Sequence, residues 1–393
     1  MQPATRPTLT AAEYLEGVRS LLGPILAAAS EIEEARRLPS HIERMVRDAG
    51  MFAVGVPKDW GGLELDPVTQ LEGIELLATA DASPAWAAMI GCDTGYVLGF
   101  FENAAARELF TDTWRSTAFV GSPSGIASVV DGGYRVSGRW TFASGCTHSA
   151  VFLLACVATT EQGPRMATER MPEVRVVALP AEQAQILDTW TTTGVRGSGS
   201  HDIAVDSLFV PESHSFRLFP SEMHIDGPLY RYPFLFTFKL AAVALGIARG
   251  AIDDVIALSA TKTAYGSRTL IRDKDWLQVG ITRAEIAYGQ ARAFYHEAMR
   301  EIWQEMSAGN APSKLAQAKL NAAQVGAVER SIEVVDAMYK AGGSNALYSK
   351  GTLDRRLRDV HTAGQHTVLQ DHALQESGRV YLGIHPESSM MIR

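Results

Sequence analysis

The sequence predicts a mainly α-helical protein with a central β domain. Apolar residues recur at helical spacing in the first third of the chain and again from about residue 234 onward. From about residue 116 the pattern changes to the alternation typical of half-buried strands, with Asp-Gly-Gly as a hairpin turn. We therefore predict an N-terminal helical domain at 1–115, a small β-barrel or sandwich domain at 116–222, and a C-terminal four-helix bundle at 223–393.

Helices in the N-terminal domain are predicted from caps and apolar periodicity. Thr10 with Glu13, and Ser40 with Glu43, have the spacing of a capping box just before an apolar-periodic run. The stretch VPKDWGGLELDP is rich in Gly and Pro and predicts a loop. Two further helical segments are predicted at 68–81 and 84–110.

The β domain is predicted from alternation. In GGYRVSGRWTFASG the side chains of Tyr134, Val136, Trp140 and Phe142 fall on one face of the chain. AVFLLACVA and EVRVVALP predict strands, and HDIAVDSLFVPE predicts a closing pair of strands.

Long, Ala-rich helical segments predict the C-terminal bundle. The stretch AGGSNALYSKGTLDRRLRDVHTAGQH is predicted to be an irregular connector before the last helix. The predicted bundle helices are 234–263, 275–308, 312–341 and 368–382.

The composition excludes several classes of function. The chain has 393 residues and a net charge of −8, with no basic run, which argues against binding to nucleic acid or to an anionic membrane surface. Its three cysteines include no C-x-x-C pair, so neither a disulfide framework nor a zinc knuckle is expected. No secretory leader and no apolar stretch long enough to span a membrane is visible. We expect a soluble, cytoplasmic protein.

Two stretches of the β domain resemble ligand-binding loops. GRWTFASGCTH can be a strand that ends in a turn, or a platform for a flat aromatic ligand beside the Ser144 hydroxyl, and spacing alone does not separate the two. GVRGSGSHDIAVDSLFVPE is rich in Gly, but Asp202 stands where a G-x-G-x-x-G fingerprint has its last glycine. The sequence therefore predicts no nicotinamide site.

Two histidines in RDVHTAGQHT pose the main question about chemistry. His361 and His366 can be structural residues, metal ligands or a catalytic base. Asp359 and Asp371 are the nearby carboxylates, but nothing resembles H-E-x-x-H, so a metal site is not expected.

Several motifs in the correct order resemble the acyl-CoA dehydrogenase superfamily over essentially the whole chain. They are LPSHIERMVRDAGMFAVGVPKDWGGLELD, GVRGSGSHDIAVDSLFVPE, KTAYGS and AGGSNAL followed by RRLRD. The resemblance implies a helical domain, a β domain and a C-terminal four-helix bundle, with flavin bound between the β domain and the bundle.

The resemblance to a dehydrogenase fails at the catalytic base. In the family pattern R-D-x-x-x-x-x-x-Y-E-G-T, His366 takes the place of the tyrosine and Thr367 that of the glutamate. Some relatives carry the base on the first bundle helix, but between Asp226 and Asp253 the chain has no Asp or Glu. A threonine hydroxyl does not abstract such a proton near neutral pH.

SPAWAAMI, GSPSGIASVVDGGYRVSGRWTFASGCTH and RDVHTAGQHT resemble instead the two-component flavin-dependent monooxygenases of the same fold. That branch includes the oxygenase components of p-hydroxyphenylacetate hydroxylase and of a hydroxysteroid-ring hydroxylase, and dibenzothiophene monooxygenase. The resemblance implies that reduced flavin (FMNH2 or FADH2) and O2 form a C4a-(hydro)peroxyflavin that hydroxylates a small phenolic, polyketide or indole-type substrate. It also implies a separate NAD(P)H:flavin reductase and a homotetramer.

The same resemblance assigns roles to individual residues. Ser144 is expected beside the reactive edge of the flavin, and His366 is expected to be the active-site base, with a pKa near neutrality. The expected cofactor-binding residues are Ser122, Trp140, Thr141, Phe142, Ala143, Ser144, Lys262, Gly342 and Gly343. The expected substrate-binding residues are Trp86, Tyr96, His148 and His361, although His361 also suits a supporting or structural position.

Two other functions compete with this interpretation. One is a dehydrogenase or oxidase with a relocated base, and the other is a flavin-binding scaffold that has lost its activity.

Overall fold

The computed structural model describes residues 8–169, 171–219, 222–263, 265–387 and 392. It confirms the predicted fold class, with helices at both ends of the chain and a β-sheet between them. Residues 1–7, which contributed to the expectation about a secretory leader, lie outside the described residues.

The N-terminal helices follow the predicted order, with two differences. Thr10 and Glu13 form the predicted capping box. The capping box predicted at Ser40 is wrong, because Ser40 is already inside the helix and the preceding Pro39 makes no side-chain cap. The helices are α1 (Ala11–Ala35), α2 (Ser40–Asp48), α3 (Pro67–Ala78), α4 (Ala82–Gly91), α5 (Thr94–Val97) and α6 (Asn103–Leu109).

The single helix predicted at 84–110 is therefore interrupted. It breaks after Gly91 and again after the 3-10 turn at Leu98–Phe100. Gly95 lies so close to the backbone of Gly55 that a Cβ placed on it would be 1.9 Å from the Gly55 carbonyl oxygen. Only glycine allows two backbones to approach so closely, so α5 packs directly against the loop at Gly55.

One eight-stranded sheet forms the β domain. The predicted hairpin is present, with Asp131 and Gly132 as its two-residue turn. The predicted closing pair is instead one long strand followed by a short one at the opposite edge of the sheet. The strands are β1 (Thr117–Val130), β2 (Gly133–Trp140), β3 (Val151–Thr160), β4 (Gly163–Pro164), β5 (Val174–Pro180), β6 (Gln185–Leu187), β7 (Asp202–Pro211) and β8 (Ser215–Arg217).

The order in the sheet is β6-β7-β2-β1-β3-β5-β8, with β4 paired to β3. All pairs are antiparallel except β1 with β3. On β3 the side chains alternate between two cores: Phe152 and Leu154 face the interior of the β domain, while Leu153 faces the main helical core. Both faces of β3 are covered, which explains its continuous apolar sequence.

The bundle differs from prediction in its connector. The stretch predicted to be irregular contains a twelve-residue helix, α10, so His361 lies on a helix and not in a loop. The central helix α9 packs against the four other helices of this domain. These helices are α7 (Leu240–Ser259), α8 (Asp275–Ser307), α9 (Lys314–Gly342), α10 (Thr352–Ala363) and α11 (Asp371–Tyr381).

Charged residues on α10 connect distant parts of the chain. Arg355 and Arg358 both pair with Glu33 at the end of α1. Arg356 pairs with Asp254 on α7 and donates to the carbonyl of Thr79 after α3. Helix α10 therefore joins the N-terminal domain to the bundle.

Within the described ranges, no helix has the length and apolar character that crossing a membrane would require.

Candidate active site

The turn after β2 carries Ser144. The strand ends at Trp140, and Phe142 then adopts a left-handed backbone conformation (φ 61°) that side chains other than glycine seldom take. The backbone N–H of Ala143 donates to the carbonyl of His201, and that of Gly145 donates to Ser198. The turn is thereby fastened to the segment that precedes β7.

The Ser144 hydroxyl belongs to a buried group of polar side chains. Trp86 on α4 donates its indole N–H to Ser144 Oγ at 3.0 Å. The hydroxyl oxygens of Ser144 and Ser200 are 2.8 Å apart, and those of Ser200 and Ser198 are also 2.8 Å apart. Ser198 in turn donates to the carbonyl of Val195 at 2.8 Å.

His366 reaches the same group from the end of the bundle connector. Its ring lies 6.1 Å from the Trp86 ring, centroid to centroid, at an interplanar angle of 53°. The backbone N–H of Val368 donates to His366 Nδ1 at 3.4 Å, so the neutral ring carries its proton on Nε2. Burial lowers the pKa of His366 to about 4. The side chain is therefore neutral at pH 7, and its pKa lies below the near-neutral value that the sequence suggested.

A second residue with unusual backbone geometry, Val195, contacts this group through Ser198. Val195 also has a left-handed conformation (φ 48°), which is rare for a β-branched residue. Its N–H donates to Asp359 Oδ1 at 2.6 Å. A Cβ on the neighbouring Gly194 would lie 2.1 Å from the carbonyl oxygen of Arg358. Helix α10 thus holds the 194–195 backbone directly, and strained backbone held by its surroundings is common at functional sites.

Two buried carboxyls support the same region. Burial raises the pKa of Asp81, and burial together with the charge of Asp81 raises the pKa of Asp359. Asp81 accepts from the N–H of Ser83, whose own hydroxyl accepts from the N–H of Gly197. Asp81 and Asp359 therefore fix the backbone on both sides of Val195.

An exposed surface lies beside the Ser144 turn. The Phe142 side chain is 72% exposed, and its ring meets the Trp190 ring edge-on at 6.2 Å. Ser122 on β1 and Thr141 are also exposed, whereas Ala143 is buried. The exposed Phe142 ring and the half-buried Trp190 ring are therefore available to a flat ligand.

Trp140, Tyr96 and His361 were predicted to line the site but do not reach the Ser144 group. The prediction for Trp140 is wrong: its ring is buried inside the β domain, where Gly125 and Gly138 leave room for it, and its N–H donates to Ala155. It therefore cannot stack on a ligand at the Ser144 turn.

Tyr96 and His361 are not brought to the Ser144 group either. Tyr96 is fully buried in the main core, with its hydroxyl 3.4 Å from Gln70 Oε1. His361 is exposed, and its Nε2 lies 2.9 Å from Asp336 on α9. This contact with Asp336 fits the structural position that the sequence also allowed.

His148 is buried four residues beyond Ser144. Its ring stacks on Phe52 at 5.9 Å, and burial, with the nearby charge of Arg115, lowers its pKa to about 4. Neither ring nitrogen has a hydrogen-bond partner in the described part of the chain.

Lys262, Gly342 and Gly343 come together in a second, separate group. Lys262 Nζ donates to the carbonyl of Gly342 at 2.6 Å, and Gly343 has a left-handed backbone (φ 55°) beside it. They adjoin an open groove that includes Arg268 and Ser344. Cations beside a groove suit a phosphate group.

The residues of both groups fit a flavin. Exposed aromatic side chains beside a hydroxyl suit the flat isoalloxazine ring with its hydrogen-bonding edge, and the Lys262 groove suits the phosphate end. Among the described residues no group of three His, Cys, Asp or Glu side chains could hold a metal ion.

Sequence reasoning missed Ser198 and Ser200 and gave Asp359 no role beyond a weak metal candidate. Both serines lie in the stretch GVRGSGS, whose resemblance to the family motif could have identified them.

This arrangement of helical domain, β domain and bundle around a Ser–Trp–His group defines an acyl-CoA dehydrogenase-like flavoprotein. The family model for the acyl-CoA dehydrogenase N-terminal domain matches residues 11–109, and the model for the acyl-CoA dehydrogenase C-terminal domain matches residues 238–371.

Similar proteins specify the branch. The chain is 30% identical to indole-3-acetate monooxygenase of Pseudomonas putida, over 95% of this chain and 93% of that protein. It is 27% identical to the flavin-dependent monooxygenase oxygenase subunit HsaA of Mycobacterium tuberculosis, over 97% of this chain and 98% of that protein. The crystal structure of 3-HSA hydroxylase from Rhodococcus sp. RHA1 superimposes with a TM-score of 0.87 at 25% identity, covering 97% of this chain and 99% of that one. The chain belongs to the acyl-CoA dehydrogenase superfamily and, within it, to the flavin-dependent monooxygenases.

Proposed function

We propose that this chain is the oxygenase component of a two-component system that hydroxylates a small aromatic compound. The observation that carries the proposal is that Ser144, Trp86 and His366 lie together. In the same chain, Thr367 occupies the position of the glutamate that serves as base in the dehydrogenases. Reduced flavin, FMNH2 or FADH2, supplies two electrons and activates O2 for transfer of one oxygen atom.

The residues around Ser144 would hold and shield the flavin. Phe142 and Trp190 provide aromatic contact with the ring, and the Ser144 hydroxyl provides a hydrogen bond at its reactive edge. Trp86 keeps that hydroxyl in place. Burial of the group keeps water away from the reacting atoms, which limits loss of activated oxygen as peroxide.

His366 is proposed to accept the proton of the substrate. Oxygen transfer to a ring is faster when an ionised oxygen or nitrogen donates electrons into it, and a neutral imidazole can take that proton. To accept at Nε2, the ring must move its own proton to Nδ1 and give up the 3.4 Å contact with Val368, which is weak at that length. The negative charge left on the substrate would raise the pKa of His366 beside it.

The substrate class follows from this role. We propose a small aromatic compound with an ionisable ring O–H or N–H, such as a phenol or an indole. The names of the similar proteins include indole-3-acetate and p-hydroxyphenylacetate as substrates, which are of this chemical kind.

A separate NAD(P)H:flavin reductase is the proposed source of reduced flavin, because the Gly-rich stretch ending at Asp202 lacks a nicotinamide fingerprint. We also propose a cytoplasmic homotetramer. Tyr265, which lines the groove beside Lys262, is strongly exposed, and the three cysteines are free and buried. In an assembly, Lys262 and Arg268 would meet the flavin phosphate of a neighbouring chain.

The test supplies the purified chain with chemically reduced FMN or FAD and ¹⁸O2. Indole-3-acetate, p-hydroxyphenylacetate and a larger phenol serve as candidate substrates, and mass spectrometry detects products that carry one ¹⁸O atom. Labelled product from at least one substrate supports the proposal. No labelled product from any of them, together with bleaching of bound oxidised flavin by an acyl-CoA under nitrogen, would establish the dehydrogenase alternative instead.

A further inference from the structure

Ser144 is the outer end of a chain of three hydroxyl groups. Ser198 and Ser200 are sealed from solvent, with exposed fractions of 1% and 3%, so water does not compete for their hydrogen bonds. Ser144 connects this chain to the proposed flavin site.

The three serine hydroxyls share a limited number of hydrogen atoms. The indole N–H of Trp86 can only donate, so Ser144 always accepts from it. Each serine has one hydrogen and two lone pairs. Ser200 has a single hydrogen but two serine neighbours at 2.8 Å, so it donates to one of them and accepts from the other.

Two complete arrangements satisfy this count. In the first, Ser144 donates to Ser200, Ser200 to Ser198, and Ser198 to the carbonyl of Val195. Ser144 then has a lone pair free toward the flavin site. In the second, every hydroxyl turns round: Ser198 donates to Ser200 and Ser200 to Ser144, whose hydrogen then points out of the chain.

The carbonyl of Val195 makes the reversal possible. Trp190 donates its indole N–H to the same carbonyl oxygen at 3.2 Å. When Ser198 turns away, this oxygen therefore keeps a donor, so neither arrangement leaves it unsatisfied.

We propose that Ser198 and Ser200 are positioning residues that let Ser144 change between acceptor and donor with the redox state of the flavin. This inference rests on the proposed function, which places Ser144 at the flavin's reactive edge. The ring nitrogen there carries a hydrogen in reduced flavin and a lone pair in oxidised flavin. Ser144 accepts from the N–H of reduced flavin and donates to the lone pair of oxidised flavin. The hydroxyls of Ser200 and Ser198 reverse their hydrogen bonds accordingly.

The test uses Ser198→Ala, which removes the far end of the chain without touching Ser144. Ser200 then has no acceptor behind it, so the arrangement in which Ser144 accepts leaves a buried hydroxyl hydrogen unsatisfied. We expect affinity for reduced flavin to fall roughly tenfold relative to affinity for oxidised flavin. The midpoint potential of bound flavin should fall by about 30 mV.

Ser200→Ala should also lower the affinity for reduced flavin relative to that for oxidised flavin, since Ser144 then loses its own acceptor. It also provides the result if Ser198→Ala does not fold. The control is Ser116→Ala, another buried serine, whose hydroxyl contacts Ser149 at 3.2 Å and makes no hydrogen bond to Ser144, Ser198 or Ser200. Its ratio should equal that of the unmodified protein.

The measurements are anaerobic titrations of the apoprotein with reduced and oxidised FMN, and spectroelectrochemistry of the bound flavin. The proposal is overturned if Ser198→Ala and Ser200→Ala change the affinities for reduced and oxidised flavin equally, or change neither. It is also overturned if Ser116→Ala gives the same shift. Such a result would leave the proposed function standing if the unmodified protein still forms oxygenated product. Failure of the unmodified protein to bind reduced flavin would remove the function as well.

Discussion

Ser144 is contacted by side chains that are far apart in the sequence. Alternation and resemblance led to Ser144 and His366, because both lie in short motifs. They could not show that Trp86 joins the two, since that contact depends on how α4 packs against the β domain. Trp140 was misplaced because alternation put it on one face with Phe142, whereas β2 ends at Trp140 and the left-handed backbone at Phe142 turns the next aromatic side chain outward.

A prediction at the scale of single residues concerns His366→Ala. The variant lacks the proposed proton acceptor, so hydroxylated product should fall by roughly 100-fold while oxidation of reduced flavin to peroxide continues. The measurement is the ratio of product to hydrogen peroxide at each turnover. His361→Ala is the matched control, because His361 is exposed and paired with Asp336. A product ratio in His366→Ala equal to that of the control would remove the base assignment.

Among the elements, α10 shows where pattern-based prediction fails. Its buried positions include Arg355, Arg356 and Asp359, which are held by ion pairs and by a backbone N–H. A search for apolar periodicity misses such a helix because its buried face is charged. The hairpin and the continuous apolar strand β3 were predictable, since turn chemistry and burial on both faces are visible in the local sequence.

The close packing of α7 on α3 provides a prediction at this scale. A Cβ on Gly246 would lie 2.2 Å from the carbonyl oxygen of Glu75 and 2.5 Å from the side chain of Ala78. Gly246→Ala should therefore lower the free energy of unfolding by about 1–3 kcal/mol. Gly17→Ala, in the interior of α1 with nothing within 4 Å, is the control and should raise it by up to about 1 kcal/mol. Urea denaturation measures both, and equal stability of the two variants would contradict the packing.

At the scale of the whole molecule, the three domains were predictable in order, but the contacts that unite them were not. Glu33 meets Arg355 and Arg358, which are more than three hundred residues further along the chain. No local pattern predicts an ion pair across that separation. The buried carboxyls Asp81 and Asp359 belong to the same junction.

The pH dependence of stability tests this junction. The pKa of Asp359 is raised in the folded protein, so its contribution to stability is complete below the unfolded value of about 3.9 and is lost as pH rises through the folded value. Asn cannot ionise, yet its amide oxygen can still accept from the N–H of Val195. Asp359→Asn should therefore lose less stability than the unmodified protein between pH 4 and neutrality, by about 1.4 kcal/mol for each unit by which the pKa is raised.

Urea denaturation across this pH range gives the comparison. Asp131→Asn, which changes an exposed carboxyl in the turn between β1 and β2, is the control and should follow the unmodified protein. If the curves for Asp359→Asn and the control run parallel, folding does not raise the pKa of Asp359.

The connection made by α10 also has a consequence for synthesis. Arg355 and Arg358 lie 322 and 325 positions after their partner Glu33. While the chain is being translated, the first helix leaves the ribosome long before the helix that secures it has been made. Helix α1 can therefore reach its final contacts with α10 only after more than three hundred further residues have been made, and until then its Glu33 end stays open to chaperones and proteases.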